Sequence, residues 1–287
     1  MTETTTRGAA PGYRPRRTLR LRVEAVRQLR RRRTLWTFAL LAALPWLLVG
    51  AFEIRGNASS GGSTPTIIQL GDAGALNFAA FTLFVSASFL LVVAVALFCG
   101  DTVASEAGWA SLRYLLAAPI PRTRLLRQKS IVSLGYAALS VVLLPVMALP
   151  AGTLAFGWHA FRLPGGGGTL SDGVALQRMA IVVGYTLISQ LTVAALAFLL
   201  SVTTDSPLGA VGGAVGVVIV SSILDAVTAL GGWRDFLPTH WAFAWTDALQ
   251  QKLETAGMVK GSALALTYAV VLYALAIRRF RRKDIIS

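Results

Sequence analysis

Six long apolar stretches alternate with polar segments along the chain: Leu35–Phe52, Leu76–Cys99, Ser130–Ala151, Met179–Val202, Pro207–Leu230 and Val259–Ile277. Crossing the hydrocarbon core of a bilayer takes about 20 apolar residues in a helix, so this pattern predicts six transmembrane helices. The first stretch is the shortest, yet no charge falls between Leu35 and Phe52. Pro45 lies inside it, and Pro145 and Pro150 lie inside the third. Membrane helices tolerate such prolines because neighbouring helices satisfy the freed backbone groups. A buried core helix explains one block of this length, but not six in 287 residues.

The polar segments differ sharply in charge. The segment up to Thr34 holds 11 Arg; Gly100–Lys129 holds Arg113, Arg122, Arg124, Arg127 and Lys129; the tail holds Arg278, Arg279, Arg281, Arg282 and Lys283. These make 21 of the 27 cations, and with six spans all of them fall on one side. Arg55, Arg162, Arg178, Arg234, Lys252 and Lys260 share the other side. Cationic loops stay in the cytoplasm, so both termini are expected there. The net charge of +14 is then a topology signal and an attraction to anionic lipid, not a nucleic-acid footprint.

Three outer loops follow, at about 53–75, 152–178 and 231–258. The first two are rich in Gly, Ser and Pro, including Gly165–Gly168, and read as flexible connections. The third carries Trp233, Trp241, Phe243 and Trp245, followed by Asp247–Lys252, where a short helix is expected. Indole rings prefer the headgroup layer, so this loop is expected on the outer leaflet. Residues 1–17 read as disordered.

Residues 18–34 form the next element. Leu19, Val23, Val26 and Leu29 share one helical face, while Arg20, Arg27 and Arg30–Arg33 supply the charge. This predicts an amphipathic helix lying in the membrane plane with its arginines on lipid phosphates.

The 100–129 loop carries more information. Asp101, Ser105 and Glu106 follow the second span; Trp109–Ala118 then places large apolar residues at 109, 112, 115 and 116. Pro119 and Pro121 stop that run, because the residue before a proline avoids helix. The result is a stubby helix outside the membrane whose apolar face needs either a partner or lipid to cover it.

The residues Glu106, Gly108, Leu112, Arg113, Leu115, Leu116, Pro119, Arg122 and Lys129 resemble the cytoplasmic loop of type-2 ATP-binding-cassette permeases, an exporter-type family. Ala110-Ser111 stand where that family usually has Gly-Thr, and Phe280–Ile285 is similar to its usual ending. The resemblance implies a bacterial cytoplasmic-membrane protein, all-α, with six spans (within 35–277) and a basic tail at 278–287. It also implies that two permease chains, alike or different, meet to form the path and that two separate ATPase subunits grip the coupling helices. Trp109–Ala118 would be that coupling helix, with Glu106 and Arg113 as polar fixings. ATP and Mg would be held by the partner, and the chain itself lacks the G-x-x-x-x-G-K-[ST] phosphate loop.

Other features qualify this reading. Gly209, Gly212, Gly213 and Gly216 give two small-xxx-small pairs in the fifth span, suited to close helix packing, either with a second chain or within this one. Asp225 near the outer end of that span and Gln190 in the middle of the fourth are candidates for a substrate path. His159 and His240 lie in different outer loops without acidic or Cys companions at ligand spacing, and the single cysteine, Cys99, excludes a disulfide framework. An intramembrane enzyme would need paired catalytic groups at membrane depth; the spans hold no His and only one acid, Asp225. An ion-driven secondary transporter would show repeats and buried midplane charge, neither of which is visible. A non-transporting scaffold is the remaining alternative.

Overall fold

The computed structural model describes residues 21–55, 66–108, 122–166 and 168–282. The expected disordered segment 1–17, the stretch Trp109–Ala118 and the tail beyond 282 therefore lie outside the described residues. Eight α-helices are described: α1 (Leu21–Leu29), α2 (Arg32–Arg55), α3 (Ala75–Ala87), α4 (Leu90–Gly108), α5 (Arg122–Phe156), α6 (Asp172–Thr203), α7 (Pro207–Ala226) and α8 (Ala256–Arg282). Five of them, α2 and α5 to α8, are long and apolar enough to cross a membrane. The pair α3 and α4 is bent by 59° and makes a sixth if taken as one span. Large apolar side chains such as Trp36, Leu47, Leu208, Ile223 and Val270 face outward, which suits a lipid surround and not water.

The second apolar stretch is therefore not the single straight helix its composition predicts. Ser86 Oγ bonds back to the Thr82 carbonyl at 2.7 Å, a contact that loosens and bends helices. Gln190 Nε2 of α6 takes the Ala87 carbonyl at the break. A break at membrane depth requires such partners. Nor does this helix stop at Cys99: α4 runs on to Gly108, so Asp101 and Glu106 stand on the span's own helix. Asp225 is not the only acid on a membrane helix.

The third and fourth spans also outrun their predicted edges. At 1.5 Å per residue, α5 with 35 residues and α6 with 32 are each about 50 Å long. α7 is shorter than expected and ends at Ala226, its start fixed by Pro207 and by Ser206 Oγ accepting from the Gly209 amide at 3.2 Å.

The all-α expectation needs one amendment. Within the Gly-rich second loop, β1 (Phe161–Arg162) pairs antiparallel with β2 (Thr169–Leu170). Gly165 and Gly166, at φ 85° and 79°, supply a turn that residues with a Cβ rarely adopt. Asn77 of α3 donates to the Arg162 carbonyl at 2.8 Å and accepts from its amide at 3.0 Å, imitating a neighbouring strand. Phe161 and Leu163 are buried, so this loop is a packed element and not a flexible connection.

The third loop forms 3-10 helices at Thr228–Phe236 and Ala244–Leu249. Trp233 is exposed, as an interfacial indole would be, but Trp245 is fully buried against Phe84 and Phe243. It belongs to the protein core and not to the headgroup layer. Arg178, expected in a loop, lies on α6 and holds the carbonyls of Ala248, Gln250 and Gln251.

α4 packs on α5, α6 and α7, while α6 packs on α8, α4 and α7; α3 and α2 lie against α5. Two close approaches depend on glycine. A Cβ on Gly152 would come within 3.0 Å of Ala75 Cα and Phe78 Cδ1, drawing α5 onto α3; one on Gly100 would meet Val211 of α7 at 3.2 Å. The predicted glycine stripe divides in two. Gly213 faces Leu200 of α6 and Gly209 faces Ser206, whereas Gly212 and Gly216 face open space.

Candidate functional site

The described ends of the 109–121 segment are fixed by a buried ionic cluster. Glu106, near the C-terminus of α4, receives Lys129 Nζ of α5 at 2.6 Å, with both side chains about 3% exposed. Lys129 also reaches Glu24 of α1 at 3.2 Å. Arg27 bridges Glu24 at 3.1 Å and Glu106, and Gln28 Nε2 adds a hydrogen bond to Glu24 at 3.0 Å. Two acids and two cations thus join α1, α4 and α5. One turn along, Asp101 takes Arg31 at 2.7 Å and Arg33. Tyr136 Oη donates to the Ala25 carbonyl at 2.6 Å, pinning α1 onto α5 from the side.

This arrangement turns α1 inside out by the standards of a soluble helix. Its buried residues are Glu24 and Gln28, while Leu21, Val23, Val26 and Leu29 are exposed. An interfacial helix keeps its apolar face for lipid, but here the polar face is occupied by protein. Arg27, Arg31 and Arg33, expected on lipid phosphates, turn inward to carboxylates. Burial raises the Glu24 pKa, but Lys129, Gln28 and Arg27 outweigh that penalty and hold it below 4.5. Burial lowers that of Arg27, yet Glu106 and Glu24 more than compensate and its pKa is raised. Both groups therefore stay charged at neutral pH.

The expected coupling residues fall on both sides of what is described. Glu106 and Gly108 are in the last turn of α4, and Arg122 is the first residue of α5. Trp109, Leu112, Arg113, Leu115, Leu116 and Pro119 lie outside the described residues. Glu106, a polar fixing of the coupling helix on the resemblance, engages Lys129 and Arg27 of its own chain. Ser201 Oγ accepts from the amides of Val103 and Ala104, each at 3.0 Å, so the end of α6 also holds α4 at this level.

Glu24 has no place in the sequence reading, although it stands alone as an acid between Glu3 and Glu53 in a run of arginines. That isolation is the available signal. Which cations pair with it depends on α5, more than 100 residues away.

The candidate path residues are separated. Gln190 lines a cavity of about 80 Å³ beside the α3–α4 break, with Ser189, Thr192, Ser222 and Thr239. Its Nε2 lies 3.4 Å from the Ala87 carbonyl, and its Oε1 has no partner among the described residues. Asp225 does not line that cavity. It accepts from Arg234 Nε at 3.4 Å and meets His240 Nδ1 at 2.5 Å, while His240 Nε2 lies 3.3 Å from Asp235. The fold thus gives His240 two acidic companions on opposite ring nitrogens, an arrangement that ties the end of α7 to the third loop. Sequence spacing offered no sign of it.

Taken together, the apolar helices, their outward apolar faces and the buried ionic junction define a multi-pass helical membrane protein. The chain belongs to the family described as protein of unknown function (DUF2705), whose model matches residues 63–286. No curated protein matches it.

Proposed function

We propose that this chain is the membrane-spanning permease subunit of an ATP-driven exporter, with ATP hydrolysed by a separate subunit docked on residues 109–118. The observation that carries the reading is the ionic junction at the foot of the 109–121 segment. α4 and α5 are tied there by Glu106–Lys129, and α1 is fastened across them through Glu24 and Arg27. A push on the segment would reach the long helices as a rigid displacement, because breaking buried ion pairs is costly. The proposed topology has six spans, with α3 and α4 as one broken span. Both termini are in the cytoplasm of a bacterium on the cation count, and a second permease chain completes the path. Gly212 and Gly216, which face open space on α7, are available for that contact.

The test is purification of the tagged chain from its native membrane in mild detergent. A P-loop ATPase is expected to accompany it, and Trp109→Asp and Leu112→Asp are expected to release that ATPase without impairing membrane insertion. Retention of the ATPase by both variants would overturn the assignment.

A second reading, an ion-driven transporter, draws on the α3–α4 break beside Gln190, since transporters bind at broken helices near the midplane. Transport by the purified chain in vesicles, insensitive to ATP depletion, would favour it.

A further inference from the structure

α5 and α8 approach one another where Ser130 Oγ and Tyr273 Oη lie 2.6 Å apart. Beyond that point, away from the arginine-rich ends of these helices, two cavities of about 250 and 270 Å³ adjoin, sharing Leu134, Leu191 and Ala194. Together they form a groove: the first cavity has α5 and α8 as walls and α6 as floor, and the second continues it between α5 and α6 as far as Val141 and Gln190. From Ser130 to Val141 along α5 the groove runs roughly 16 Å at 1.5 Å per residue. That is about half of a 30 Å hydrocarbon core, the depth of one leaflet.

The end of the groove at Ser130 and Tyr273 leads to cations. Arg127 precedes Ser130 by three residues and is exposed on α5. On α8, Arg278, Arg281 and Arg282 line a recess of about 480 Å³ with Ala274 and Ile277. Among the described residues none of these four arginines has an ion-pair partner, in contrast to Arg27, Arg31 and Arg33. Guanidinium groups with no ion-pair partner among the described residues, next to an apolar, leaflet-deep groove, match a molecule with an anionic head and a hydrocarbon tail. Guanidinium groups bind phosphate oxygens in a fork geometry, and arginines clustered just beyond the end of a membrane helix attract anionic headgroups. A second copy of this chain fits poorly, because a two-fold contact here would set the same arginines against each other.

We infer that the α5–α8 groove is a binding site for one anionic phospholipid. Its acyl chain lies over Leu191 and Ala194, and its phosphate is held by Arg127, Arg278 and Arg281. The inference rests on the membrane reading of the chain and is independent of the exporter assignment.

The test uses the full-length chain in vesicles of about one part phosphatidylglycerol to four of phosphatidylcholine, with native mass spectrometry counting the lipid retained. One phosphatidylglycerol per chain is expected, held in preference to phosphatidylcholine. Arg127→Gln with Arg281→Gln should lower its retention about thirty-fold, while the double Lys variant keeps most of it. Ala194→Trp, which fills the floor, should expel lipid of either kind. Equal retention of the two lipids by the unaltered chain would overturn the site, as would retention unchanged in both the double Gln and the Ala194→Trp variants. A dimer abolished by Ala194→Trp would overturn it too, by giving the groove to a second copy. None of these outcomes depends on whether an ATPase co-purifies.

Discussion

Lys129 and Glu106 meet at 2.6 Å with both side chains about 3% exposed, although 23 residues of chain separate them. The pair closes the base of the 109–121 segment. It is out of water, with Arg27 and Glu24 as the neighbouring charges.

Removing Lys129 leaves two buried carboxylates, Glu24 and Glu106, sharing Arg27, and breaking a buried ionic group in this way costs about 3–5 kcal/mol. Lys129→Met is therefore expected to lower the melting temperature of the detergent-solubilised protein strongly. Lys129→Met with Glu106→Gln should cost less than the sum of the single changes, because the two sites are coupled. Additive losses in a double-mutant cycle would contradict the coupling.

Acid should loosen α1. The Glu24 pKa is depressed by folding, so the stability it contributes is present above 4.5 and is lost as pH falls through the lower folded value. The melting-temperature gap between the unaltered protein and Glu24→Gln is expected to shrink as pH drops below 4.5. A gap that widened on acidification would reverse the sign.

Glycine positions should separate packing within the chain from packing outside it. Gly152→Val forces a side chain against Ala75 and Phe78, and overpacking of this kind costs about 1–3 kcal/mol. A Cβ on Gly216 meets nothing within 4 Å, so Gly216→Val should leave the melting temperature of the single chain unchanged. If α7 carries the contact with a second permease chain, Gly216→Val should reduce cross-linking between tagged copies.

Asn77 supplies both a donor and an acceptor to the Arg162 backbone. Asn77→Ala removes both hydrogen bonds, each worth about 0.5–1.5 kcal/mol. Hydrogen exchange at the Arg162 amide should rise in that variant while exchange in α6 stays unchanged.

The resemblance and the structure meet unevenly at the candidate site. Glu106 and Lys129 were legible as members of a loop motif, and Asp101 as an acid just past an apolar block. That Glu106 turns to its own chain was not legible, because a motif carries no record of what lies behind it. Glu24 was hidden for the same reason. On a helical wheel it is one acid among arginines, and only the docking of α1 on α5 makes it a buried partner.

Hydrophobic run length by itself determined that the chain crosses a membrane, roughly how often and where, since a bilayer imposes one length on every crossing helix. The asymmetry of the arginines was equally open to reading, because charge is counted without coordinates. Tertiary structure alone decided the break between Ala87 and Leu90, the burial of Trp245, the Asp225–His240 contact and the hairpin that Asn77 holds. Three of these depend on a partner far along the chain: Gln190 for Ala87, Phe84 for Trp245, and Asn77 for Arg162 at a separation of 85 residues. Apolar periodicity records which residues avoid water, but hydrogen bonds and ion pairs within the membrane are set by which helices become neighbours.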